Sequence, residues 1–116
     1  MNAPGGKAAD PARRAVIAGT GSYAPERVLT NTELESMVDT TDEWIVSRTG
    51  MKERRIAAEN ESTSDLAAAA ALRALEDAGL TAADLDMILV PTITPDIPWP
   101  NTGCLLQDKI GASRAF

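Results

Sequence analysis

Two unbroken apolar runs, residues 15–19 (AVIAG) and 87–92 (MILVPT), frame the chain. Neither alternates with polar residues, which is the pattern of strands buried on both faces. Between and after them the apolar spacing is helical. Thr30 with Glu33, and Thr40 with Glu43, are capping boxes: a hydroxyl acceptor followed three residues on by a carboxylate. The first predicts a short helix across Leu34 and Met37, the second a helix that begins near Thr41 or Asp42. Gly50 supplies a left-handed stop for the second helix, and Arg48 sits in its last turn, where a cation suits the helix dipole. Residues 51–56 fit an extended segment, followed by the polar loop AENES. Ser62, Thr63 and Ser64 offer caps for the longest helix, 65–78, closed by Gly79, and its alanines allow close packing on a sheet. A single turn at 81–85 precedes the second apolar run. Beyond it come the proline-rich loop TPDIPWPN and a helix opened by Asn101 or Thr102 and closed by Gly111. Ala115 and Phe116 then begin a third strand. Strand, helices, strand, helix, strand is the alternation of an α/β fold, a mostly parallel sheet with flanking helices.

One glycine pattern has two readings. Gly19, Gly21 and Ala24 match the spacing G-x-G-x-x-A of a dinucleotide-binding loop. That loop must open a helix at once, yet Pro25 follows and no apolar periodicity appears before Leu34. The residues therefore read as a strand end and turn, with a nucleotide-binding module built on GTGSYA as the alternative.

Composition narrows the function classes. The 116 residues allow at most one small domain, and a hydrophobic share of 44% is that of a folded chain. Residues 1–13, MNAPGGKAADPAR, lack the apolar stretch of a signal peptide and read as a disordered tail, leaving 14–116 as the folded part. A net charge of -6 argues against nucleic acid or an anionic membrane as the main partner. No apolar run approaches the ~20 residues of a membrane span. The single cysteine rules out an internal disulfide and fits a reducing compartment, so the cytoplasm is expected. With no histidine, the chain cannot hold a His-based triad, general base or metal site.

Four groups of side chains could carry chemistry. Trp44 and Arg48 are four apart and project from one helix face, where an indole and a guanidinium can stack a purine and neutralise its phosphates. The plainer reading is a core tryptophan beside a solvated arginine. Lys52, Arg54 and Arg55 form a basic cluster, able to meet phosphate but equally a solvated face. Cys104 lies near a helix amino terminus, which partly meets the need of an active thiolate; the alternative is a small packing residue. Trp99, between Pro98 and Pro100, is held on a stiff loop.

The run TDEWIVSRTGMKERR, preceded by GTGSYAPERVLTN and followed by WPNTGC, resembles the amino-terminal part of β-ketoacyl-acyl-carrier-protein synthase III, a thiolase-fold condensing enzyme. The likeness covers roughly residues 15–116 and is most specific in its DEW-I-V-x-R-TG core. It implies a thiolase-like α/β fold, of which this chain is a partial, amino-terminal portion. It implies that Thr40, Trp44 and Arg48 form part of a coenzyme A site, with Trp44 on the adenine and Arg48 at the nucleotide end. Trp99 matches a position, usually Phe, that crosses a homodimer interface and closes the partner subunit's acyl pocket. A tryptophan there would narrow the pocket and favour short primers such as acetyl-CoA. Cys104 matches a small packing position, because the family's nucleophile follows a motif like AFD-x-x-AAC and this chain reaches only its AF.

The activity implied is condensation of an acyl-CoA primer with malonyl-acyl carrier protein, with loss of carbon dioxide, to start fatty-acid synthesis. A cysteine nucleophile, a histidine and an asparagine perform it in the family, and none of the three falls within this chain. The chain alone is therefore expected to be inactive, as a truncation, a proteolytic fragment or one half of a split enzyme. Acyl-CoA is a substrate, and neither a resident cofactor nor a metal is implied. Alternatives are a related acyltransferase that primes polyketides or quinolones, and a non-catalytic fragment that dimerises through the Trp99 loop.

Overall fold

A computed structural model describes residues 14–116. The expected tail, 1–13, lies outside the described residues. The first element is a strand that the sequence reading missed, β1 (Arg27–Thr30). It pairs antiparallel with β2 (Glu53–Ile56), with Leu29 opposite Arg54 and Val28 opposite Arg55. Between the two strands run a short helix, α1 (Asn31–Glu35), and the helix that carries the candidate site, α2 (Asp42–Thr49). Thr30 caps α1, its Oγ1 accepting from the Glu33 amide at 3.2 Å. Met37 falls beyond α1 and is exposed, so the expected helix is shorter than its apolar spacing implied. The carboxylate of Glu33 is turned to Arg27, at 3.4 Å, rather than back onto the cap.

The long helix α3 (Thr63–Ala78) begins two residues before the expected start and ends at Gly79, which takes a left-handed φ of 66°. Ser62 is its cap, its amide donating to Asp65 Oδ2 at 2.9 Å. A 3-10 turn, Ala82–Asp84, follows, and α4 (Thr102–Ile110) packs across α3. Asn101 caps α4 through Oδ1. The core lies between these helices: Leu106, Ile110, Ala112 and Ala115 are buried against Ala67, Ala68, Leu85, Ile88 and Val90. The Lys109 ammonium reaches across to the Asp65 carboxylate. The amide of Gln107 donates to the carbonyls of Ala112 and Ala115, drawing the chain after α4 back over the core.

Gly19 and Gly21 are explained by α3. A Cβ on Gly19 would lie 2.8 Å from Ala78 Cβ, and one on Gly21 3.0 Å from Ala74 Cα, with backbone atoms of α3 closer still. The segment thus rests directly on the alanine face of α3. Its two-residue step of roughly 6–7 Å matches one four-residue helix advance of about 6 Å. The glycines serve close approach of backbone to helix; no strand is assigned here, and no helix opens directly after them as a dinucleotide loop requires.

The two apolar runs differ from expectation. Residues 15–19 and 87–92 carry no assigned strand, and Val16 and Leu89 are 83% and 81% exposed rather than buried on both faces. A strand exists only with a hydrogen-bonded neighbour, and among the described residues the sole assigned sheet is β1 with β2. One rung of the expected parallel arrangement is nevertheless present. Phe116 N donates to Asp86 O at 3.2 Å and Ile88 N donates to Phe116 O at 3.0 Å. One residue bonding both neighbours of its opposite number is the parallel pattern.

Candidate functional site

Helix α2 presents the site. Its cap is Thr41 rather than Thr40: Thr41 Oγ1 accepts from the Trp44 amide at 3.1 Å, one position later than the capping-box reading. Thr40 is thereby left to line a hollow of about 270 Å³ with Asp39, Thr41 and Trp44. Gly50 ends the helix at φ 72°, and Arg48 occupies the last turn. Only Ile45 of the eight helix residues is buried. Trp44 is 57% exposed, so the core-tryptophan reading fails. The Arg48 Cζ stands 5.8 Å from the Trp44 ring centroid, within the range of a cation–π contact. The structure brings Thr40 and Trp44 together on one open hollow and sets the exposed Arg48 guanidinium beside the indole.

So exposed a helix needs other anchors, and the sequence reading missed them. Asn31 follows β1 directly and is 1% exposed. Its Nδ2 donates to Asp42 Oδ1 at 2.7 Å and to Met51 O at 2.9 Å, while its backbone N donates to Lys52 O at 3.3 Å. Both ends of α2 are tied to one side chain. The partners are eleven and twenty residues away, so no local pattern marks the position.

The other candidates separate. Alternation along β2 sends Arg54 and Arg55 to opposite faces, which divides the basic cluster. Arg55 donates to the Pro25 carbonyl at 3.1 Å and sits 3.7 Å from Glu53. Cys104 is exposed on α4, beside Gln107, Asp108 and Ser113, and is not the packed residue expected. Trp99 is 84% exposed, some distance along the chain from any other site residue. Its loop is clamped to the start of α3: the Ser64 amide and hydroxyl donate to the two Asp96 oxygens at 2.9 and 2.5 Å, and Thr63 Oγ1 donates to Thr94 O at 2.6 Å. Burial opposes ionisation of Asp96, but the bonds from the Ser64 and Ser62 hydroxyls and the Ser64 amide prevail and hold its carboxyl below the ordinary range. Asp65 is also held low, first by Lys109 and then by Ser62.

Among the described residues no cluster of three or more His, Cys, Asp or Glu could hold a metal. No helix among them is long and apolar enough to cross a membrane.

This architecture occurs in known proteins. A crystal structure of 3-oxoacyl-acyl-carrier-protein synthase III from Aquifex aeolicus superposes with a TM-score of 0.80 at 50% identity, over 86% of this chain and 33% of that one. The priming β-ketosynthase of the R1128 polyketide pathway gives 0.82 at 36% identity, over 91% and 34%. The fold is therefore that of thiolase-like condensing enzymes, in part. No family model matches the chain. β-Ketoacyl-acyl-carrier-protein synthase III of Caldanaerobacter subterraneus subsp. tengcongensis is 61% identical over 99 residues, 85% of this chain and 30% of that relative. The resemblance carried by the DEW-I-V-x-R-TG core holds: the chain is homologous to the amino-terminal part of β-ketoacyl-acyl-carrier-protein synthase III, and spans about 30% of the length of that relative.

Proposed function

We propose that this chain supplies the nucleotide-binding and dimer-loop parts of a condensing acyltransferase. The enzyme joins an acyl-CoA primer to malonyl-acyl carrier protein, releasing carbon dioxide. The observation that carries the reading is the exposed Trp44, which lines a hollow with Thr40 and has the Arg48 guanidinium 5.8 Å from its ring centroid. An adenine ring laid on the indole would exchange exposed apolar surface for stacking, and the guanidinium would meet the phosphates that follow. Acyl-CoA enters as a substrate, and the thioester chemistry requires neither a resident cofactor nor a metal.

Bond making belongs elsewhere. The chain has no histidine, and its one cysteine stands on α4 with no side-chain hydrogen bond among the described contacts. The work of this stretch is binding and positioning. Trp99, exposed on a loop clamped by Asp96, is suited to reach a second subunit and narrow its acyl pocket, which favours acetyl-CoA as primer. The single cysteine supports the cytoplasm as the compartment.

Calorimetry tests the reading in the protein that carries this stretch. Trp44→Ala and Arg48→Ala should each raise the Kd for CoA about tenfold, or ~1.4 kcal/mol. Unchanged affinity in both variants would remove the assignment. The 0.82 superposition on a polyketide priming ketosynthase favours one second reading, priming of a polyketide rather than a fatty acid. Turnover with each pathway's carrier protein separates the two.

A further inference from the structure

The helix that presents Trp44 and Arg48 is held at both ends by a single buried carboxamide. Eight residues with one of them buried would not keep a helix in place in water, since isolated helices of this length are marginal. Asn31 supplies what burial does not. Its amide joins Asp42, in the first turn, to the carbonyl of Met51, just past the Gly50 stop, and its backbone amide adds Lys52. Met51 and Lys52 lead straight into β2, which pairs with the β1 strand that ends beside Asn31. A rotation or shift of α2 would have to break the bond at Asp42 or the two beyond Gly50. The residue is 1% exposed and is not among the residues that line the hollow beside Trp44.

We infer that Asn31 is a positioning residue for nucleotide recognition: it fixes the pitch and direction of α2, and so the angle at which Trp44 and Arg48 meet the ligand, without touching the ligand itself. The inference rests on the CoA reading given above. It predicts an effect confined to substrates that carry the nucleotide. A thioester on pantetheine alone has no adenine or 3′-phosphate to place, and its reaction should not depend on α2.

The experiment is steady-state kinetics of the protein that carries this stretch, with acetyl-CoA and with acetyl-pantetheine. Asn31→Ala should raise KM for acetyl-CoA about tenfold and leave kcat within twofold. Its kcat/KM for acetyl-pantetheine should match the parent protein. Because a buried substitution can compromise folding, the second pair approaches the contact from its exposed end. Asp42→Ala should reproduce part of the acetyl-CoA defect, and Asp42→Asn, which keeps an acceptor oxygen, should restore most of it. Equal losses on both substrates would make Asn31 a general fold residue and overturn the inference. Normal KM in Asn31→Ala and Asp42→Ala would do the same. Trp44→Ala is measured alongside. If it lowers acetyl-CoA use while the Asn31 and Asp42 variants are silent, positioning fails and the CoA reading stands; if Trp44→Ala is itself silent, both fall.

Discussion

Adding one methyl group at Gly21 should destabilise the protein more than any loop glycine substitution normally does. The new Cβ would lie 3.0 Å from Ala74 Cα and closer to the Ala70 carbonyl oxygen and Ala74 amide nitrogen, all backbone atoms of α3. No rotamer change relieves a clash with backbone, so the segment and the helix must separate. Overpacking costs ~1–3 kcal/mol, and a contact that cannot rotate away belongs in the upper half, about 2–3 kcal/mol. At roughly 4–8 °C per kcal/mol for about a hundred residues, Tm should fall by about 10–20 °C. The assay is thermal unfolding followed by circular dichroism. Gly50→Ala is the control, because nothing lies within 4 Å of its added Cβ and only its φ of 72° is strained. That strain costs ~1–2 kcal/mol and should ease with Gly50→Asn, since asparagine tolerates the left-handed region. Ala74→Gly should not rescue Gly21→Ala, because the crowding atoms at Gly21 are not side chain. A Tm within about 2 °C of the parent, or rescue by Ala74→Gly, would refute the packing account. Undiminished CoA affinity in a folded Gly21→Ala protein would add that this glycine pattern binds no nucleotide.

Three further outcomes follow from the same geometry. Thr41→Ala should cost about 1 kcal/mol of stability, the usual value of a lost cap, while Thr40→Ala leaves Tm unchanged; equal effects would return the cap to Thr40. Asp96→Asn should lower Tm at pH 7, with a deficit that shrinks as pH falls. The folded carboxyl titrates below its ordinary value of 3.8, so its contribution is complete above that pH and is lost as pH drops through the folded value. A Tm gap that stays constant from pH 7 to pH 3 would contradict this. Trp99→Ala should widen primer choice, raising activity on longer acyl-CoAs relative to acetyl-CoA; efficient use of long acyl-CoAs by the parent protein would remove the narrowing role.

Elements whose cause is local were legible in the sequence. The stops at Gly50, Gly79 and Gly111 each take positive φ, and the caps of α1, α3 and α4 lie where hydroxyl and amide side chains marked them. The motif that named the family, and the pairing of Trp44 with Arg48, likewise sit within a few residues of one another. What failed was non-local. The strand β1 has four residues with no apolar alternation and exists through its register with β2, some twenty-six residues later. The runs at 15–19 and 87–92 have strand composition, but composition cannot provide a neighbour. Asn31 and the Ser64–Asp96 clamp join residues that only the fold brings together. Thr40 and Thr41 show a subtler limit: two adjacent threonines offer the same cap, and the choice turns on backbone angles that spacing does not encode.

Two kinds of exposed apolar residue stand apart, and the difference bears on function. Val16 and Leu89 lie in backbone segments without a ladder among the described residues, so their exposure tracks absent hydrogen-bonded neighbours. Trp44 and Trp99 are exposed on segments tied down by bonds to the rest of the fold. The amide of Trp44 is satisfied by Thr41, its helix is pinned by Asn31, and the Trp99 loop is locked to α3 through Asp96 and Thr94. A side chain held out on a segment already tied to the fold gains little from further folding of that segment. On the function proposed above, its apolar surface is what a ligand or partner would cover, and the surroundings of the two side chains suit different occupants. Beside Trp44 stands a guanidinium, suited to an anionic ligand; Trp99 stands among prolines, on a surface suited to protein. The preference for CoA at the first and a second subunit at the second rests on this contrast in surroundings as much as on the family likeness.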